Sequence, residues 1–200
     1  IIHTLFEAVF LVIIVVFLFL QDWRATLIPL LTVPVSLIGT FIIFPLLGFS
    51  VNVLSLLGLV LAIGLVVDDA IVVVEAVMHN IEHGMNPKEA TQKAMKEVGG
   101  PVVAIALILA AVFVPVAFAG GITGRLYQQF AITIAISVLF SAFNALTLSP
   151  ALAAILLKPK KKSTGWLQRF FDAFNRMFDK FTLGYTGVAG IVARKSVRSV

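Results

Sequence analysis

The chain has 200 residues, 60% of them hydrophobic and only 12% charged, with a mean hydropathy of +1.07. That balance excludes an ordinary soluble domain and points to a membrane protein. There is no cysteine, which excludes disulfides and thiolate metal sites, and the net charge of +5 is distributed by membrane side instead of forming a nucleic-acid patch.

In chain order, five apolar segments approach or exceed the roughly 20 helical residues needed to cross about 30 Å of hydrocarbon. They lie at about 1–20, 25–47, 53–74, 101–119 and 130–157. Each is expected to be a helix, because a helix satisfies its own backbone in lipid and the period-two alternation of barrel strands is missing. The expected fold class is an all-α membrane bundle over residues 1–157. The first segment begins at Ile1 without a basic flank or a small-residue cleavage pattern, so it is not a signal peptide and the chain reads as a fragment. Glu7, in the first turns of that segment, is expected at the interface. Pro29, Pro34 and Pro45 in the second segment and Pro115 in the fourth predict kinks.

Between the third and fourth segments stands NPKEATQKAMKEVGG. Asn86 suits an N-cap, Pro87 the first helical position, Glu89 a capping-box-like arrangement, and Gly99-Gly100 a stop. The reading is a short cytoplasmic connector helix over 86–99. The fifth segment would be about 42 Å long as a helix, so it tilts or projects beyond the bilayer. After KPKKK, the stretch TGWLQRFFDAFNRMFDKF sets Trp166, Leu167, Phe170, Phe171, Phe174, Met177, Phe178 and Phe181 on one face and Arg169, Asp172, Arg176, Asp179 and Lys180 on the other. This predicts an amphipathic helix at 163–183, lying in the membrane interface with anionic lipid as its partner. Residues 184–200 cannot span and lead toward a further span outside the chain.

Orientation follows from Lys and Arg. Arg24, Lys88, Lys93, Lys96 and every basic residue after 157 fall on one side, so that 14 of the 15 oppose Arg125 alone. The side with the excess is expected to be cytoplasmic, which puts the start of the chain outside.

Within the five segments the charged residues are Glu7, Asp68 and Asp69. An aspartate at the centre of a span costs about 2.5 to 3.5 kcal/mol on insertion scales, and no Lys or Arg within the spans offsets it. Either at least one aspartate holds a proton, or the compensating cation belongs to another part of the protein. Two neighbouring carboxyls titrate as a coupled unit, which is suitable chemistry for a proton carrier. Adjacent helical positions point about 100° apart, so the two acids address two neighbouring helices, or one helix and a watery path. Gly58, Ala62 and Gly64 offer small faces for close helix approach.

The fifth segment carries Thr133, Ser137, Ser141 and Asn144 at steps of four, four and three. This polar stripe either lines a proton or water route or makes interhelical hydrogen bonds. His79 and His83 have a metal-compatible spacing but no convincing further ligand, and no phosphate-binding glycine loop is present.

LAIGLVVDDAIVVVE resembles the fourth transmembrane helix of the resistance-nodulation-division (RND) superfamily, in its hydrophobe/amphiphile efflux branch of AcrB-like multidrug exporters. The resemblance continues along the chain. FLQDWRATLIPLLTVPVSLIGTF is similar to that family's second-to-third helix junction, NPKEATQKAM to its connector, and FVPVAFAGGITGRLYQQFAITI to its fifth-to-sixth junction. SPALAAILLKP is similar to the end of its sixth helix and GWLQRFFDAFNRMF to its interfacial helix. One departure is Ala76, where many relatives have Asn.

The resemblance implies helices two to six of a twelve-helix proton-driven exporter of the bacterial inner membrane, a secondary active transporter and not an enzyme. Asp68 and Asp69 would then be proton-relay residues facing a lysine on a helix outside this chain. Protons would be the coupling ion, with no other cofactor. The whole protein would be a homotrimer joined to a periplasmic adaptor and an outer-membrane channel. The family's drug-binding residues lie in its periplasmic portion, so none carries over. The alternatives are a lipid, sterol or protein-translocation member of the same superfamily, and a structural membrane module. An intramembrane aspartyl protease needs acids facing each other from separate helices, which adjacent residues cannot supply.

Overall fold

The computed structural model describes residues 2–118 and 120–159, and within the remainder residues 171, 174–178, 180, 182–183 and 185–186. The chain divides into two compact units, 1–160 and 161–200. In the first, the described residues form α1 (Ile2–Leu20), α2 (Trp23–Leu46), α3 (Val53–Glu82), α4 (Pro87–Val116), α5 (Gly121–Leu146) and α6 (Leu148–Leu156). No described residue is in a strand. In the second unit residues 174–178 are helical, and most of the expected 163–183 and 184–200 segments lies outside the described residues.

The helix ends follow from local chemistry. Asp22 caps α2, its carboxylate accepting from the backbone N–H of Arg24 at 2.7 Å and of Ala25 at 3.2 Å. Asn52 and Ser55 close a reciprocal capping box at the start of α3. At the other end Gly84 takes a φ of 92°, while Gly84 N–H donates to Ile81 O and Met85 N–H to Asn80 O. This pair of bonds is a Schellman stop, and only glycine enters that backbone region without strain. α3 therefore runs to Glu82, past the expected end at 74, because Glu75 is a good helix former and nothing before Gly84 interrupts the ladder. Its 30 residues span about 45 Å, longer than the hydrocarbon layer.

The connector and the fourth span, expected as separate helices at 86–99 and 101–119, are one continuous α4. Asn86 accepts from Glu89 N–H and Pro87 occupies the first turn, as the sequence predicts. Gly99 and Gly100 do not stop the helix, since neither takes the positive φ that ends α3 at Gly84. Glycine lowers helix stability without forbidding the helix, and here Gly99 lies beside Leu146 of α5.

The last expected span, 130–157, becomes α5 and α6. α5 starts earlier, at Gly121, and the helix breaks at Thr147, whose φ and ψ are −121° and −65°. Pro150 accounts for the break, since its ring has no N–H and crowds the carbonyl four residues back. α2, α3, α4 and the stretch Tyr127–Leu156 are long and apolar enough to cross a membrane; the apolar stretch in the first helix, Phe6–Leu20, is shorter.

α3 is the centre of the bundle and packs against all five other helices, most extensively against α5. Gly58 sits at that contact, where an added Cβ would stand 3.2 Å from Phe130 O and 3.4 Å from Thr133 Cβ. Ala62 is fully buried as well. Gly64, expected to serve the same approach, instead faces open space with nothing within 4 Å. At one end Arg24, on α2, reaches the carbonyl of Leu156 at the end of α6. The N-terminus of α2 and the C-terminus of α6 therefore lie on the same side of the bundle.

Candidate functional site: a divided pair of intramembrane carboxylates

Asp68 and Asp69 fall in the middle third of α3, and the 100° between successive helical residues sends them to different surroundings. Asp69 turns inward and is only 6% exposed. Ser141 of α5 donates to its Oδ2 at 2.6 Å, a length suited to a hydroxyl on a carboxylate, and the same Ser141 Oγ lies 3.1 Å from Val66 O. Asp68 is exposed. It borders a groove of about 760 Å³ between α1 and α3, whose walls include Val15 and Phe19 of α1 and whose rim reaches Glu97 of α4.

The same groove holds Glu75, His79 and Glu82. Asp68, Glu75 and Glu82 are spaced by seven, which places them on one face of α3 two turns apart. That spacing was readable in the sequence, but the last two lay beyond the expected end of the span. Among the described residues neither aspartate has a basic partner. Lys93 and Glu97 do form an ion pair, but it is an exposed contact at 4.0 Å within α4.

The polar stripe of α5 is buried along its length and serves several neighbours. Ser141 reaches Asp69. Ser137 Oγ lies 3.0 Å from Thr40 Oγ1, and Asn144 Nδ2 donates to Ser36 Oγ at 2.8 Å, so these two bind α2 instead. Thr133 bonds back to Gln129 O of its own helix. The α2 residues Ser36 and Thr40 were not singled out by sequence reasoning. The available signal was the recurrence of Thr32, Ser36 and Thr40 every fourth residue, all three buried on one stripe. The result is a polar seam inside an apolar bundle, made by α2, α3 and α5.

The rings of His79 and His83 lie with centroids 4.3 Å apart, tilted by 49°, and His83 Nδ1 lies 2.8 Å from His79 O at the helix end. Among the described residues no three His, Asp or Glu side chains are gathered as a metal site.

Long apolar helices packed around one that carries a carboxylate pair define a multi-pass α-helical membrane protein with an intramembrane ionisable site. All of residues 1–200 match the model of the AcrB/AcrD/AcrF family, and the chain belongs to that family. It is 50% identical over 200 residues to the toluene efflux pump membrane transporter TtgB of Pseudomonas putida, covering 98% of this chain and 19% of that protein. It is also 50% identical over 195 residues to the multidrug export protein AcrF of Escherichia coli, covering 95% of this chain and 19% of that one. The multidrug resistance protein MdtF of the same organism is 50% identical over 184 residues, with 92% and 18% covered. The chain thus spans about a fifth of the length of these curated relatives.

Proposed function

We propose that this chain is the part of an efflux transporter in which proton movement is coupled to export, with Asp68 and Asp69 as its relay. The observation that carries the reading is the pair itself: two carboxyls at the middle of the central helix, one sealed against Ser141 and one facing a groove, with no basic partner among the described residues. Carboxyls in such surroundings are stable when they hold a proton or meet a cation brought by another segment. One elementary charge crossing about 100 mV supplies about 2.3 kcal/mol. That energy biases two packings of the bundle if they differ in proton affinity.

The whole transporter would sit in the bacterial inner membrane, with the start of this chain on the periplasmic side and the residues after 157 in the cytoplasm. The one-sided distribution of Lys and Arg supports that orientation. It would work as a homotrimer with a periplasmic adaptor and an outer-membrane channel. Its cargo would be hydrophobic or amphiphilic small molecules, in keeping with relatives named for toluene, solvent and multidrug export. It would be a secondary transporter whose coupling ion is the proton.

In the complete protein, Asp68→Asn or Asp69→Asn is expected to abolish export while leaving assembly intact, measured as dye or drug accumulation in cells alongside membrane content of the pump. Wild-type export by either variant would sink the relay.

A further inference from the structure

If Asp69 belongs to the relay proposed above, its carboxyl must stay satisfied as protons come and go. Ser141 Oγ stands within hydrogen-bond distance of two acceptors on α3, Asp69 Oδ2 at 2.6 Å and Val66 O at 3.1 Å. A serine hydroxyl has one hydrogen and two lone pairs. With two acceptors in reach, that single hydrogen has two places to go.

We infer that Ser141 is a positioning residue that keeps Asp69 hydrogen-bonded in both its charged and its neutral form, without movement of α5. When Asp69 is a carboxylate, the Ser141 hydrogen points to Oδ2. When Asp69 has taken up a proton, the carboxyl O–H donates to Ser141 Oγ, and the serine hydrogen turns about the Cβ–Oγ bond to Val66 O. The added proton comes from the coupling path and returns to it. Nothing else is made or broken, and the one motion is a hydroxyl rotation.

The rest of the seam holds this arrangement still. Four residues before Ser141, Ser137 meets Thr40; three residues after it, Asn144 donates to Ser36. Both contacts tie α5 to α2 on either side of the switch. Sliding α5 by one turn, about 5.4 Å, would leave these buried groups unpaired together. The ionisable group next to Asp69 is Asp68, its neighbour on the same helix. Among the described residues the helices around it contribute none at that level, since Arg24 lies in the first turn of α2, Arg125 and Tyr127 lie in the first two turns of α5, those of α4 lie at 88–97, His3 and Glu7 start α1, and α6 has none. Motion coupled to the pair therefore belongs on the Asp68 side, where α3 borders the groove.

The test uses the complete transporter and reads export against external pH. Because the bond from a hydroxyl to the charged carboxylate is stronger than the bond made by the neutral acid, Ser141→Ala is expected to move the pH of half-maximal export by about one unit, and Ser141→Thr, which restores a hydroxyl, to return it to the wild-type position. A wild-type profile for Ser141→Ala, or a shift that Ser141→Thr fails to reverse, overturns the inference. Should Ser141→Ala not assemble, the wild-type protein decides by infrared difference spectroscopy against Asp69→Asn. A protonated Asp69 carboxyl whose O–H is hydrogen-bonded supports the inference, and a free carboxyl overturns it. Full export by Asp69→Asn would instead remove the relay reading underneath, while loss of export by Asp69→Asn with an unshifted Ser141→Ala profile removes this inference alone.

Discussion

The two sides of α3 differ more than any two stretches of its sequence. Toward α2 and α5, the helix meets a closed face on which Gly58, Ala62, Val66, Asp69 and Val73 are all buried and each polar group near Asp69 has a named partner. Toward α1, the same helix presents Gly64, Asp68, Val72 and Glu75 to space. A polar group on the closed face must find its bond within the bundle, because no water or lipid headgroup can supply one. A polar group on the open face is held for whatever approaches through the groove. Adjacent residues thus meet different surroundings, Asp69 hydrogen-bonded inside the bundle and Asp68 open to the groove.

That contrast can be broken most severely at Gly58. Gly58→Val puts side-chain atoms against Phe130 O, a backbone atom that cannot turn aside. The expected cost is about 2 to 3 kcal/mol, as in overpacked cores, read as loss of folded transporter from the membrane in detergent melting. Normal melting would mean that α3 and α5 are not held at this distance.

A smaller effect tests the seam pair by pair. A double-mutant cycle of Ser36→Ala and Asn144→Leu should give a coupling energy of about 0.6 kcal/mol, and no more than about 1.7. Additive behaviour would show that the Asn144–Ser36 bond contributes nothing to holding α2 on α5.

The smallest effect is expected at Gly64. Gly64→Val, with nothing within 4 Å, should change stability by less than about 0.5 kcal/mol on account of this chain. A large loss in the complete transporter would reveal that another segment covers the open face, which sharpens the division instead of removing it.

Much of this was legible in the residues. Apolar runs of spanning length, the caps at Asn86 and Pro87, and the doublet Asp68-Asp69 all depend on local composition and spacing, which a sequence states directly. The misjudged features depend on competition between local signals and packing. Gly99-Gly100 looked like a stop, yet Gly84 is the glycine that adopts positive φ, and α4 continues. Gly58 and Gly64 looked equivalent, six residues apart on one helix, but one touches α5 and the other touches nothing.

By itself the sequence determined that this chain is a helical membrane protein with an ionisable pair in its third apolar segment, because insertion energetics act on composition one span at a time. Only the tertiary structure decided which aspartate is sealed, that Ser141 is its partner, and that Ser137 and Asn144 turn to α2 instead. The physical reason is that a helix offers every direction in turn, and which direction becomes interior is set by the neighbours that pack against it.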